Sequence, residues 1–349
     1  MRRLRISKLA ILAGAGFCLL AFLPVKISGP SMLPTLKEGE IRLTIPCFGN
    51  IKRNDLVLYP DPNTGATVVK RAVGLPGERV FLTDGDLYLD GQIYRRPILG
   101  PADLIPLVDV RGKEILKIFR FEGEGQAQWN ENEELLVQGK ASLSNVPMDG
   151  FLLDGQLIAG VHTASDLGIA IDFSLQKNGS LEIYLREGAQ FFTFKLEGDS
   201  ASLSLNGEEL EKKKLEAPLS QGALFLVKAD GQISAILDEK VLLGPADYES
   251  APGQRMADGP NWPSPEQAGF GGKGFLVRRI QVGRDLFRHP TGTYGSSEVF
   301  QLGEGEYFLL GDNHLSEKSI DSRFYGSVSG SAIRRRIGPR LFRPSGGVE

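Results

Sequence analysis

Apolar positions cluster first in one uninterrupted run, LAILAGAGFCLLAFL, from Leu9 to Leu23, with no charged or strongly polar side chain. As a helix this run spans roughly 22 Å at about 1.5 Å per residue. A hydrocarbon core is about 30 Å thick, so Ile6, Val25 and Ile27 must lengthen the run while Lys8 and Lys26 snorkel to the two interfaces. Arg2, Arg3, Arg5 and Lys8 stand at or before its start and no acidic residue occurs before Glu38, which keeps the N-terminus cytosolic and places the remainder across the membrane. A cleavable secretory signal has the same outline, but PVKISGPS after Leu23 offers no clear small-x-small site. The pattern predicts an uncleaved, single-pass transmembrane helix in residues 1–26, held in the cytoplasmic (inner) membrane.

Beyond it the periodicity changes to that of strands. From Ile41 to Tyr94 the runs IRLTI, LVLY, TVVKRAV and RVFLTDGDLYLDGQIY are separated by turn signals, with Asp84-Gly85 and Asp90-Gly91 placed for tight hairpins. From about Leu99 the texture becomes IAIDFSLQ, SLEIYLRE, QFFTFKLEG, SASLSLNGEEL and GALFLVKADGQISAILDEKVLLG, the alternation of a two-layer sandwich. A Gly/Pro-rich stretch after Leu243 reads as a long loop before GFLVRRIQV resumes as a strand. The earlier style returns in VFQLGEGEYFLLGDNH and SIDSRFYGSVSGSAIRRRI. The expected organisation is mainly β: 27–98 and 297–349 form one domain, and 99–296 is a β-sandwich inserted into it.

A length of 349 residues accommodates two cores, and a net charge of −3 with 24% charged residues provides no basic field for nucleic acid. Cys18 lies in the apolar run, away from Cys47, so no disulfide is expected. His162, His289 and His314 show no ligand spacing, which predicts neither metal nor cofactor. Without a G-x-S-x-G elbow they also give poor support to a Ser/His/Asp arrangement. A peptidase outside the cytosol can instead use lysine as its base, provided that desolvation or neighbouring positive charge brings the amine toward neutrality.

Four segments bear on that option. Ser28-Gly29-Pro30-Ser31-Met32-Leu33-Pro34-Thr35-Leu36 follows the apolar run, then Asn54-Asp55-Leu56-Val57-Leu58-Tyr59, then Val69-Lys70-Arg71-Ala72-Val73-Gly74-Leu75-Pro76-Gly77-Glu78, and finally Gly311-Asp312-Asn313 with Ser319-Ile320-Asp321-Ser322-Arg323. Their content and order resemble the motifs of bacterial type I signal peptidases, over roughly residues 1–98 and 297–340. The resemblance implies a signal-peptidase-type β-sheet catalytic domain with Ser31 as nucleophile, Lys70 as general base and Ser319 orienting the lysine. It further implies that Asp312, Arg71, Asp321 and Arg323 tie the C-terminal motif to the lysine strand and that Met32 packs on the lysine stem and floors a substrate groove. The implied partners are signal peptides of preproteins, bound as an added strand and cut after Ala-x-Ala, together with membrane lipid and the export machinery.

Two departures stand out. Some family members carry a serine where this chain has Gly29, and Pro30 has no N–H, so the oxyanion donors reduce to the Ser31 N–H with a local group or water, Ser28 being the nearest hydroxyl. The segment His314 to Lys318 is longer than the family usually has, which leaves Ser316 as a second candidate for the lysine's partner although the motif favours Ser319. Ser174-Leu175-Gln176-Lys177 in the insert is a chance tetrad without companion motifs. The insert's pattern resembles concanavalin-like or laminin-G-like sandwiches, and shielding the catalytic sheet or meeting the export machinery is preferred over sugar binding. Two rival readings remain open: a self-cleaving Ser/Lys protease of the SOS-repressor type, and a non-enzymatic membrane-tethered carbohydrate-binding module.

Overall fold

The computed structural model describes residues 22–47, 51–83, 85–122, 126–130, 134–160, 162–249, 267–286, 288–313 and 319–342. The chain divides into two compact units, one formed by the residues up to Thr83, Leu87–Gln92 and those from His289 on, the other by Asp84–Asp86 and Ile93–Arg288.

The first unit is built on a seven-stranded sheet in the spatial order Leu23–Lys26, Ile41–Pro46, Arg335–Phe342, Leu56–Pro60, Thr67–Gly74, Glu306–Leu310 and Val328–Ser329. Every neighbouring pair is antiparallel. Sequence-distant strands lie side by side here because period-two alternation gives each one an apolar face that only a shared core can bury. Val57 pairs with Lys70 and Leu58 with Val69, so the two faces are assigned residue by residue. Val57, Tyr59 and Ala72 enter one apolar cluster with Ile51, Tyr307, Leu309, Val328 and Ile333. On the other face Leu56, Val69 and Ile337 pack against Ile27, Met32 and Leu36. Lys70 shares the face of Val57 and Ala72, and this is what later matters for its amine.

The expectation of a transmembrane helix through residue 26 is corrected. Among the described residues no helix is long and apolar enough to cross a membrane, and Leu23–Lys26 is a strand whose residues register with Ile41 to Thr44. The physical reason lies at Pro24 and Lys26: proline has no N–H for a helix ladder, whereas here the segment pairs with a neighbouring strand. The remainder of the predicted span, up to residue 21, lies outside the described residues, as do Cys18, the Asp84 of one predicted turn, most of the Gly/Pro-rich loop, and residues 314–318 with His314 and Ser316.

In the second unit two long strands, Leu167–Glu187 and Gln267–Arg284, pair with each other along most of their length. The first half of the former, Leu167 to Ser174, also pairs with Gln221–Ala229, and its second half, Ser180 to Glu187, with Gln190–Glu197. Register shifts at Asp172/Phe173 and Leu175/Ser180 separate the halves, as bulges do where a strand bends from one layer into another. Side chains from both arms, among them Ile169, Leu224 and Ile233 from one and Ile183, Phe192 and Leu203 from the other, share a single core. That makes the unit a sandwich with two strands common to both layers. In the Ser174–Lys177 tetrad Lys177 is exposed.

One charged pair lies inside this unit. Lys228 donates to Glu187 at 2.6 Å and to the Ser165 carbonyl at 2.5 Å, both charged side chains being fully buried, and Tyr248 donates to the same carboxylate. Glu187→Ala would leave an ammonium buried without its carboxylate and is expected to lower stability by about 3–5 kcal/mol, whereas exchanging both partners for apolar residues of similar volume is expected to be near neutral or stabilising. Denaturant unfolding of the single and double variants checks this.

Candidate active site

The turn that carries Ser31 starts from a closed base. Ile27 and Glu40 hydrogen-bond through their backbones at 2.8 Å, and the Gly39 N–H returns to the Ile27 carbonyl at 2.9 Å. Gly29 sits at φ 82°, in the left-handed region where a side chain would be strained. The backbone then coils, with Leu33 N–H donating to the Pro30 carbonyl and Leu36 N–H to that of Met32. Met32 and Leu36 anchor the turn in the apolar cluster shared with Leu56 and Val69. Ser31 is half-buried and Ser28 exposed.

The segment Gly311-Asp312-Asn313 grips this turn from the end of the Glu306–Leu310 strand. Asn313 donates its backbone N–H to the Ser31 carbonyl at 3.0 Å and its side-chain amide to the Pro30 carbonyl at 2.9 Å. Asp312 accepts from Arg71 Nε at 2.8 Å and Nη2 at 2.5 Å, a bidentate pair, and from Thr35 Oγ1 at 2.6 Å. Gly311 occupies the crowded centre: a Cβ there would stand 2.3 Å from Ser319 Oγ, 2.9 Å from the Ser31 carbonyl oxygen and 3.2 Å from Lys70 Nζ. Three residues distant in sequence thus converge on one glycine, and only a residue without a side chain lets them close in.

Lys70 is 2% exposed and donates to Ser319 Oγ at 3.3 Å. Ser319 itself is buried and begins the segment leading to Asp321. Asp321 caps the short helix Ser322–Tyr325, accepts from the Gly311 N–H at 3.0 Å, and is met by Arg323 through Nε and Nη2, each at 2.8 Å. Arg323 also reaches the His289 carbonyl and Thr291, fixing the guanidinium from its far side. Beside this pair Tyr59 and Tyr325 join hydroxyl to hydroxyl, and burial pushes both phenols up.

Burial pulls the Lys70 amine below the ordinary lysine value, and it is the leading cause; Asp321 opposes it and Arg323 reinforces it. Because Arg323 already neutralises Asp321 at hydrogen-bond distance, the apolar face of Val57 and Ala72 decides the direction. Chemically this is an amine able to accept a proton, oriented by a hydroxyl, close to a serine held by its own and its neighbour's carbonyl. Thr35, Gly311 and Asn313 carry contacts that the sequence reading did not assign to them. The signal for the last two was present in the Gly311-Asp312-Asn313 triplet, from which only the carboxylate was given a role.

Unfolding Lys70 restores the ordinary value near 10.5, so below it the unfolded chain binds a proton that the folded chain resists, and stability rises with pH. Lys70→Met is therefore expected to raise the thermal midpoint at neutral pH, with the gain shrinking as pH approaches 10.5. Melting curves across that range check it, and a pH-independent difference would contradict the assignment of cause.

Residues 2–150 match the family model described as signal peptidase, peptidase S26. Signal peptidase I T of Bacillus subtilis (strain 168) is 37% identical over 81 residues, 22% of this chain and 42% of that protein. Signal peptidase I of Bacillus licheniformis is likewise 37% identical over 81 residues, 22% of this chain and 44% of the relative. The chain thus spans less than half the length of these relatives. Among solved structures a Bacillus subtilis protein of galectin-like fold overlaps 53% of this chain and 98% of its own at 12% identity, with a TM-score of 0.37. That overlap is loose, and the sandwich of the second unit rests on its own strand pairing. Over residues 2–150, which include Ser31 and Lys70, the chain is similar to the signal peptidases of peptidase family S26.

Proposed function

We propose that this protein is a serine endopeptidase that removes signal peptides from exported preproteins at the outer face of the cytoplasmic membrane, cutting after small residues in an Ala-x-Ala pattern. Ser31 attacks the scissile carbonyl, and Lys70 in its neutral form takes the serine's proton and then hands it to the leaving amine. Ser319 holds the amine toward the serine. The Ser31 N–H is the nearest donor for the tetrahedral oxyanion, since Pro30 has none to give. Asp312 with Arg71, and Asp321 with Arg323, keep the two halves of the site in register. Membrane lipid and the export machinery belong to the same proposal as its surroundings.

The observation that carries this reading is the buried Lys70 amine, hydrogen-bonded to Ser319 and packed at the glycine that also touches the Ser31 carbonyl. An exposed lysine on a strand edge would stay charged and could not serve as a base. The second support is the family match over the segment that holds both residues.

Purified protein is incubated with a preprotein bearing Ala-x-Ala before its cleavage site. Ser31→Ala and Lys70→Ala are each expected to lose at least about 10³-fold in rate, the scale on which catalytic units collapse when one member is removed. Undiminished cleavage by either variant sinks the assignment. A separate expectation concerns pH. Since the active form of Lys70 is the neutral amine, kcat/KM should rise with pH through the lowered lysine pKa and level off above it. Lys70→Arg should abolish activity throughout, because guanidinium stays charged.

A further inference from the structure

We propose that Thr35 is a positioning residue for Ser31, acting through Asp312; the inference rests on the peptidase reading above and assigns a part of its machinery. Ser31 and Thr35 are separated by four residues on a coiled segment in which Leu36 N–H donates to the Met32 carbonyl at 2.9 Å. Met32 and Leu36 are the apolar anchors of the segment, buried at 2% and 1%. Apolar packing of this kind decides which side of the turn faces inward but tolerates rotation about its axis.

Directional contacts remove that freedom. Asn313 grips the Pro30 and Ser31 carbonyls at the start of the turn, which fixes a point. The Thr35 hydroxyl supplies the second point further along the segment, donating at 2.6 Å to Oδ2 of Asp312. Asp312 is itself held in place, its side chain fully buried and clamped by Nε and Nη2 of Arg71. Arg71 adjoins Lys70 on the Thr67–Gly74 strand. The path Thr35, Asp312, Arg71 therefore couples the rotation of the nucleophile's turn to the strand that carries the base, without passing through either reacting group.

This role differs from that of a stabilising cap. Thr35 is otherwise exposed, and a charged acceptor that keeps its bidentate arginine still has partners when the hydroxyl is gone. Valine preserves the shape of the side chain and deletes only the donor, so the fold persists while the angle of the turn is released. A displacement of about 1 Å at a reacting group costs on the order of 100-fold in rate.

The test uses the full chain and a preprotein with Ala-x-Ala before its cleavage site, comparing Thr35→Val, Thr35→Ser, Asp312→Asn and the Thr35→Val/Asp312→Asn double variant, with Ser31→Ala as the control on the peptidase reading. Thr35→Val is expected to lower kcat by roughly 10- to 100-fold with KM unchanged, Thr35→Ser to recover most of the loss, and the double variant to be no slower than Asp312→Asn alone. Wild-type kcat in Thr35→Val, failure of Thr35→Ser to recover activity, or full additivity in the double variant overturns the proposal. If Asp312→Asn does not fold, the contrast between valine and serine at position 35 decides it. An active Ser31→Ala brings down the peptidase reading, whereas an inactive Ser31→Ala beside a fully active Thr35→Val removes only the role of Thr35.

Discussion

Lys70 carries its amine into a sheet face formed by Val57 and Ala72, and an ammonium there has little water to solvate it. The remaining features of the site follow from that desolvation. The amine needs a hydrogen-bond partner that does not hold it in the charged state, and a serine hydroxyl, Ser319 Oγ, fills the need where a carboxylate would not. The acid nearest by influence, Asp321, is turned toward Arg323 and the Gly311 N–H. Two carboxylates of the neighbourhood are each closed off by an arginine, Asp312 by Arg71 and Asp321 by Arg323. These pairs contribute less by their own stability than by confining charge while they hold backbone segments in place.

The same constraint explains why the site is assembled from three stretches of chain. A desolvated lysine requires strands packed on both sides, and the antiparallel order places Leu56–Pro60 on one side of the lysine strand and Glu306–Leu310 on the other. The C-terminal strand delivers Gly311, Asp312 and Asn313 to the nucleophile's turn as it ends. An insertion as large as the second unit is compatible with this, because the register of the catalytic sheet is specified by its own alternation and not by the length of the connection.

Much of the candidate site's assembly could be anticipated from the sequence because its motifs are short, contiguous and residue-specific. Lys70, Ser319, Arg71, Asp312, Asp321 and Arg323 each occupy a place in a recognisable string, and the structure gathers them around Gly311. Strand periodicity likewise indicated the β-rich units. What the pattern missed involves contacts between strings. Thr35 and Asn313 stand inside the quoted strings, but a threonine in a Pro-Thr turn and an asparagine after Gly-Asp satisfy local backbone rules as readily as they bridge distant segments, so their roles went unassigned. The helix boundary failed for a related reason: Val25 and Ile27 extend an apolar count, but Pro24 and the pairing available from Ile41–Pro46 direct those residues into a sheet.

Among the described residues two lysines on strands are buried, and the comparison isolates what burial alone does not determine. Lys70 lies in VVKRAV and Lys228 in FLVKADG, sequences of equal apolar texture. Lys228 is fully buried, yet a carboxylate oxygen of Glu187 and the Ser165 carbonyl lie within 2.6 Å of it, and the rings of Phe192 and Tyr248 present their faces at 5.9 Å. Its charge is compensated on every side, as an interior ion pair must be to persist. Lys70, by contrast, has a hydroxyl at 3.3 Å, and the nearby acid is already engaged by arginine. The one arrangement suits a structural ammonium and the other a proton acceptor. Since the two strands read alike, the distinction between a core contact and a candidate base is made by partners more than forty residues away in sequence, Glu187 for one and Ser319 for the other.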